Sequence, residues 1–189
     1  MTSSKSILAT LAEILLKALG SERPSRTPVR PRRPDARLRS VGEEGADRGS
    51  DGDTATVRVD PDGVRDLRIA YAPDQDGAPD AGEIVWTWVP YEENDGRGKD
   101  RPVLVIARAS AERVYAVRMT SRSHDGDRDY LSIGSGSWDA QGRESWVDIE
   151  QLYSVHEDGL RREAAVLDPQ RYGRVTAALR NRYGWRAGE

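Results

Sequence analysis

The chain has no cysteine and no phenylalanine. Without thiols it cannot build a disulfide framework or a thiolate metal site. Two histidines, His124 and His156, are too few for a zinc centre of the usual kind. No tryptophan precedes Trp86, so all 5 lie from there on, and the large aromatic mass available for a core is C-terminal. Long apolar runs are missing too. The nearest to one, Ile7 to Leu19, is broken by Glu13 and Lys17, too short to span a bilayer and too interrupted for a signal peptide. Charge of one sign is also lacking: 29 Lys+Arg against 32 Asp+Glu leave a net −3. That balance argues against nucleic-acid binding over the whole surface but leaves room for a local basic groove.

What is present fits one ordinary domain with unfolded appendages. Hydrophobic residues make up 37% and charged ones 32% of 189 residues, and the mean hydropathy of −0.73 is low for a chain packed along its whole length. In residues 1–20, Ile7, Leu8, Leu11, Ile14, Leu15, Ala18 and Leu19 recur at helical spacing before Gly20, which predicts an amphipathic helix. Docking on protein, contact with a membrane surface and a fraying tail all remain open for it. The weakly basic polar face favours docking and makes a membrane partner the poorer expectation. Residues 21–53 read as a disordered linker, first rich in Pro and Arg, then in Gly and Asp. Its arginines suit either a soluble spacer or a phosphate-binding arm, and the spacer is the plainer reading.

Over residues 54–81, Val57 and Val59 alternate before Asp60-Pro61-Asp62-Gly63, and Leu67, Ile69 and Tyr71 alternate after it. That pattern predicts a β-hairpin followed by an Asp, Gly and Pro-rich loop. Next comes the stretch that organises the chain. Ile84, Trp86 and Trp88 alternate with Val85, Thr87 and Val89, the period of a pleated strand, and the two tryptophans are expected in the core or a dimer seam. A charged loop carrying Gly96 and Gly98 leads to Arg101-Pro102, where the chain enters the run Val103 to Ala107. Apolar at every position, that run predicts a central strand buried on both faces. A third strand, Val114 to Met119, delivers Thr120 and Ser121 at its end. Gly134-Ser135-Gly136-Ser137 offers either a backbone nest for a phosphate or a mobile loop, the second favoured where no helix follows. Asp168-Pro169 is a helix start, and Tyr172, Val175, Thr176, Leu179 and Tyr183 form a buried stripe that Gly184 ends.

The order of Gly82-Glu83-Ile84-Val85-Trp86 strand, charged Gly-containing loop, Arg101-Pro102 with a hydrophobic strand, and a strand ending in Thr120-Ser121 resembles the MazF/PemK toxins of toxin-antitoxin systems. The resemblance runs from Gly82 to Tyr183, within a barrel domain expected over residues 82–185. It implies a mainly β fold: a small SH3-like barrel with a C-terminal helix, cytoplasmic and homodimeric, that cuts single-stranded RNA without metal or other cofactor and is silenced by a cognate antitoxin. Members often carry Gly-x-Glu-Gln-x-Gly before the Arg-Pro pair, where this chain reads Asp95-Gly96-Arg97-Gly98-Lys99-Asp100.

The resemblance places the catalytic roles on Arg101 and Thr120. A guanidinium grips two phosphate oxygens at once and stays charged at any workable pH, and hydroxyls of Thr120 and Ser121 can orient a phosphate. Each has a structural alternative: Arg101 can tie the charged loop to Asp100 or Glu93, and Thr120 can cap a turn. Tyr91, Arg97, Lys99, Arg118 and Arg122 are candidates for holding unpaired RNA beside the site. His124 could serve as a substrate-site base or stand solvated among Ser123, Asp125 and Asp127. A second function class stays open, a non-catalytic protein-interaction module on the same barrel, because fold does not dictate activity.

Overall fold

A computed structural model describes residues 49–188 except 75, 77 and 94, with backbone alone at 161–164. The helix expected over residues 1–20 and most of the linker after it lie outside the described residues.

Nine strands and one long helix are formed among the described residues: β1 (Val57–Val59), β2 (Arg68–Ile69), β3 (Glu83–Pro90), β4 (Gly98–Arg108), β5 (Arg113–Thr120), β6 (Tyr130–Gly134), β7 (Ser145–His156), β8 (Leu160–Val166), α1 (Pro169–Tyr183) and β9 (Arg186–Ala187). The antiparallel main sheet runs β1-β7-β5-β4-β3-β8, with β6 also on β7. It curls, so that β1 at one end reaches β3: the hydroxyls of Thr56 and Thr87 meet at 3.0 Å. This is the SH3-like, mainly β architecture expected.

The continuous apolar run of β4 dictates its central place. Leu104 and Ile106 enter one core with Val117, Leu152 and the α1 residues Tyr172, Val175 and Leu179. Val103 and Val105 enter a second core with Val85, Val89, Val114 and Tyr153. Leu104 and Ile106 are fully buried, and each such side chain contributes about 1.5–3 kcal/mol of transfer free energy. Helix α1 starts where its caps predict, with Arg171 N–H donating to Asp168 Oδ1 at 3.0 Å and Pro169 in the first turn. It stops at Gly184, whose φ of 72° is a left-handed conformation that costs glycine nothing. Tyr183 is half-buried, the outer margin of the stripe.

Two local expectations are corrected. The Asp60–Gly63 turn forms, with Asp62 N–H donating to Asp60 Oδ1 at 3.1 Å, but no hairpin results. β1 pairs with β7 through Val57↔Ser154, and β2 pairs in parallel with β9 through Arg68↔Arg186. The β2 segment is buried by its partners, since Leu67 and Ile69 join the main core and Trp185 Nε1–H donates to Val64 O at 2.8 Å, whereas β1 takes an edge of β7 with Val57 left exposed. The charged loop is shorter than expected, since Gly98 to Pro102 already pair with Pro90 to Trp86. Of the two places expected for Trp86 and Trp88, the core does not hold them: both are half-buried on β3, Trp86 next to the register shift of β3 against β8. Gly98 must lack a side chain because a Cβ there would lie 2.5 Å from the Trp88 ring and from Val89 O.

Residues 49–53, counted with the linker, are tied to the domain by hydrogen bonds, with Gly49 buried and 51–53 exposed. Thr56 N–H donates to Gly49 O at 2.8 Å, and the Arg113 guanidinium donates to Asp53 O at 2.9 Å and Ala55 O at 2.6 Å. The Gly134–Ser137 segment has no helix after it, and Ser135 O accepts from Arg171 Nη1 at 2.8 Å, so the segment is tied to α1.

Candidate active site

The β4–β5 ladder closes at the pair Val103↔Arg118. Continued two residues further, that register would set Arg101 opposite Thr120. The ladder does not continue: beyond Arg118 the β4-facing edge of β5 goes unpaired, while its other edge keeps pairing with β7 through Met119↔Val147 and Thr120↔Trp146. The strands splay, and a cleft of about 380 Å³ opens between them. Arg101 and Pro102 line one wall with Lys99 and Trp86, and Thr120 and Ser121 line the floor.

The opposite wall is the loop from β6 to β7, which contributes Trp138, Asp139 and Arg143. It is an ordered wall: Trp138 Nε1–H donates to Ser145 Oγ at 2.9 Å, Arg143 Nε–H to Asp139 Oδ2 at 2.8 Å, and Gln141 N–H to Asp139 Oδ1 at 2.8 Å. The Gln141 N–H, and after it Arg143, hold the Asp139 carboxyl below its ordinary value of 3.8.

Arg101 is half-buried and makes no ion pair or hydrogen bond among the described residues, so it does not tie the loop to Asp100 or Glu93. Two other arginines of the same surface, Arg97 and Arg118, are spent differently. Arg97 is exposed and paired with Asp95 at 2.7 Å. Arg118 donates through Nη2 to Asp148 Oδ2 at 2.7 Å and to Tyr130 Oη at 2.9 Å, and its side chain is only 13% exposed. Burial works against that guanidinium's charge, but Tyr153, Asp148 and Tyr130 outweigh it and raise its pKa above the usual value.

Thr120 Oγ1 accepts from Arg122 N–H at 3.1 Å, the turn cap that a strand-end hydroxyl can form. Its own proton remains available to donate into the cleft. Ser121 is exposed beside it. Arg122 is exposed and lies outside the cleft lining, as does His124, which stacks on Tyr130 at 3.5 Å between ring centroids with Nδ1 3.3 Å from Asp127 Oδ2. Tyr91 and Arg97 sit with Arg101 and Arg118 in an adjoining cleft. Lys99 is exposed on the first. Trp138 and Arg143 are not site candidates in the sequence, and only the folding of residues 138–143 across the end of β5 brings them there, whereas Trp86 reaches the cleft from β3 beside Pro102. Among the described residues no cluster of three His, Cys, Asp or Glu side chains is placed to hold a metal ion.

The family model of PemK-like, MazF-like toxins of type II toxin-antitoxin systems matches residues 80–182, from just before β3 to the end of α1. The chain belongs to this family. Among solved structures it is similar to an endoribonuclease in complex with its cognate antitoxin from a mycobacterial species, at 18% identity over 57% of this chain and 96% of that one, TM-score 0.44. It is similar also to MazF from Deinococcus radiodurans, at 20% identity over 57% of this chain and 97% of that one, TM-score 0.45. The MazE-MazF structure from the same organism gives 23% identity over 57% and 93%, TM-score 0.40. The comparison with curated proteins yields no match. The family match takes in every side chain of the cleft and leaves out β1 and β2, which this toxin carries in addition. No helix among the described residues is long and apolar enough to cross a membrane.

Proposed function

We propose that this toxin is an endoribonuclease that cuts single-stranded RNA at selected sequences, without a metal, through attack of a ribose 2′-hydroxyl on the adjacent phosphorus. In that reaction the 2′-hydroxyl gives up its proton, the O2′–P bond forms, the P–O5′ bond breaks and the 5′-oxygen takes up a proton. A cyclic phosphate is left on one fragment. Negative charge gathers on the phosphoryl oxygens in between, and fixed cations and donors aimed there supply the largest share of such catalysis. Arg101 takes that task, and the Thr120 and Ser121 hydroxyls orient the phosphate.

The observation that carries this reading is the unpaired Arg101 guanidinium in one cleft with the Thr120 hydroxyl, whose acceptor side is occupied and whose proton is free. Arg118 differs: its charge is paired with Asp148, and it lines the adjoining cleft. We assign the toxin a homodimeric state and a cognate antitoxin that acts by covering the cleft, in keeping with its family.

Inducing wild type and Arg101→Ala in a bacterial host, and mapping RNA ends with purified protein in excess chelator, tests the proposal. Wild type should generate new ends at a recurrent sequence, and the variant should lose about 10²- to 10³-fold in cleavage rate. Identical ends and equal growth for the two would refute it. A partner retained by both proteins, with no cleavage by either, would favour the interaction-module reading.

A further inference from the structure

Three clefts run into one another on this surface. The cleft at Thr120 shares Arg101 with a second of about 390 Å³ that holds Tyr91, Glu92 and Arg118. The second shares Tyr91 and Glu92 with a third of about 460 Å³, whose far wall is Arg58 to Pro61. That far wall precedes the family match at residue 80 and belongs to the extension. The extension is fastened next to the site: Thr56 meets Thr87 at 3.0 Å, and Thr87 is the cross-strand partner of Arg101.

We propose that the extension adds a subsite for single-stranded RNA to the family cleft, in which Arg58 holds a backbone phosphate and Tyr91 carries an unpaired base. The nature of the ligand rests on the ribonuclease reading above. Arg58 is exposed and has no ion-pair partner among the described residues, whereas Arg97 and Arg118 are taken by Asp95 and Asp148. The unpaired cations therefore flank the second and third clefts, Arg58 on the far wall of the third and Arg101 where the second meets the first, with Lys99 beyond it.

Between them lie carboxylates. Glu92 Oε1 accepts from Gln151 Nε2 at 3.3 Å with Arg118 Nη2 at 3.8 Å, and Asp60 Oδ1 accepts from Asp62 N–H. Such groups repel phosphates and accept from the exocyclic amino groups of bases, so a strand crossing here turns its bases inward beside the Tyr91 ring. An amphipathic peptide is a poorer occupant, since it needs apolar anchors. Among the described residues the exposed large hydrophobics, Val57 and Tyr71, do not line the groove.

The test uses the full chain and fluorescently labelled, randomised 2′-O-methyl RNA, which cannot be cut, in lengths of about three and about nine nucleotides. Arg58→Ala should weaken binding of the longer strand only, and the slope of log affinity against log salt should fall by about 0.7, one phosphate's worth. Arg58→Lys should keep the slope. Tyr91→Ala should weaken the longer strand about 5- to 150-fold, the range for one lost stacking platform. Unchanged affinity and slope in Arg58→Ala, or equal losses at both lengths, would overturn the subsite, as would a wild type that binds neither length. Cleavage is scored separately. Cutting that persists with no dependence of binding on Arg58 sinks the subsite alone, whereas Arg58-dependent binding without any cutting sinks the nuclease and leaves the subsite standing.

Discussion

Arg118 sits in the last rung of the β4–β5 ladder and Arg101 two residues beyond that rung on the facing strand, and the structure gives their removal opposite consequences. Arg118→Ala takes away one half of an ion pair whose other half, Asp148, is 2% exposed. Removing one partner of a buried pair costs about 3–5 kcal/mol because the remaining charge stays buried. Asp148 keeps the Glu150 and Gln151 N–H groups at 3.0 and 3.2 Å, which places the loss near about 3 kcal/mol. With a urea slope of roughly 1.5 kcal/mol/M, that is a midpoint lower by about 2 M with the slope unchanged. Arg101→Ala breaks no pair and should stay within about 0.5 kcal/mol of wild type. Urea melts followed by tryptophan fluorescence read both. An Arg118→Ala midpoint within about 0.3 M of wild type would refute the claim that Asp148 confines this guanidinium. An Arg101→Ala midpoint as low as that expected for Arg118→Ala would mean that Arg101 is a structural residue.

Three more outcomes follow from the same packing. Asp139 has its pKa depressed in the fold, so its contribution is present above the unfolded value and lost as pH falls through the lower folded one. The wall carrying Trp138 should therefore loosen only below pH 3.8, seen as a fluorescence change that Asp139→Asn abolishes. Gly98→Val should destabilise by about 1–3 kcal/mol, since its side chain would meet the Trp88 ring and Val89 O, and an unchanged melt would contradict that approach. Asp168→Ala should cost about 1 kcal/mol through loss of the cap on Arg171 N–H, read as a lower thermal midpoint with the helix retained.

Local rules were enough for several parts of this protein. The unbroken apolar run of Val103 to Ile106 could only be a strand covered on both faces, and Asp168-Pro169 with Gly184 bounded α1, because caps and periodicity act between near neighbours. The order of Arg-Pro strand and Thr-Ser strand end was readable too, and with it the family. Partner choice was not. The alternation in Val57–Val59 sets which side chains share a face but carries no information on whether the free edge of β7 or the following strand will pair with it. Arg118 looked as available as Arg101, since nothing near it in sequence announces an aspartate 30 residues away. The wall formed by Trp138 and Arg143, and the reach of Arg58 toward Tyr91, likewise arise only when distant segments fold over one another. Side-chain charge is a property of composition, but whether a charge is free to meet a substrate depends on which carboxylates the tertiary fold brings within hydrogen-bond distance.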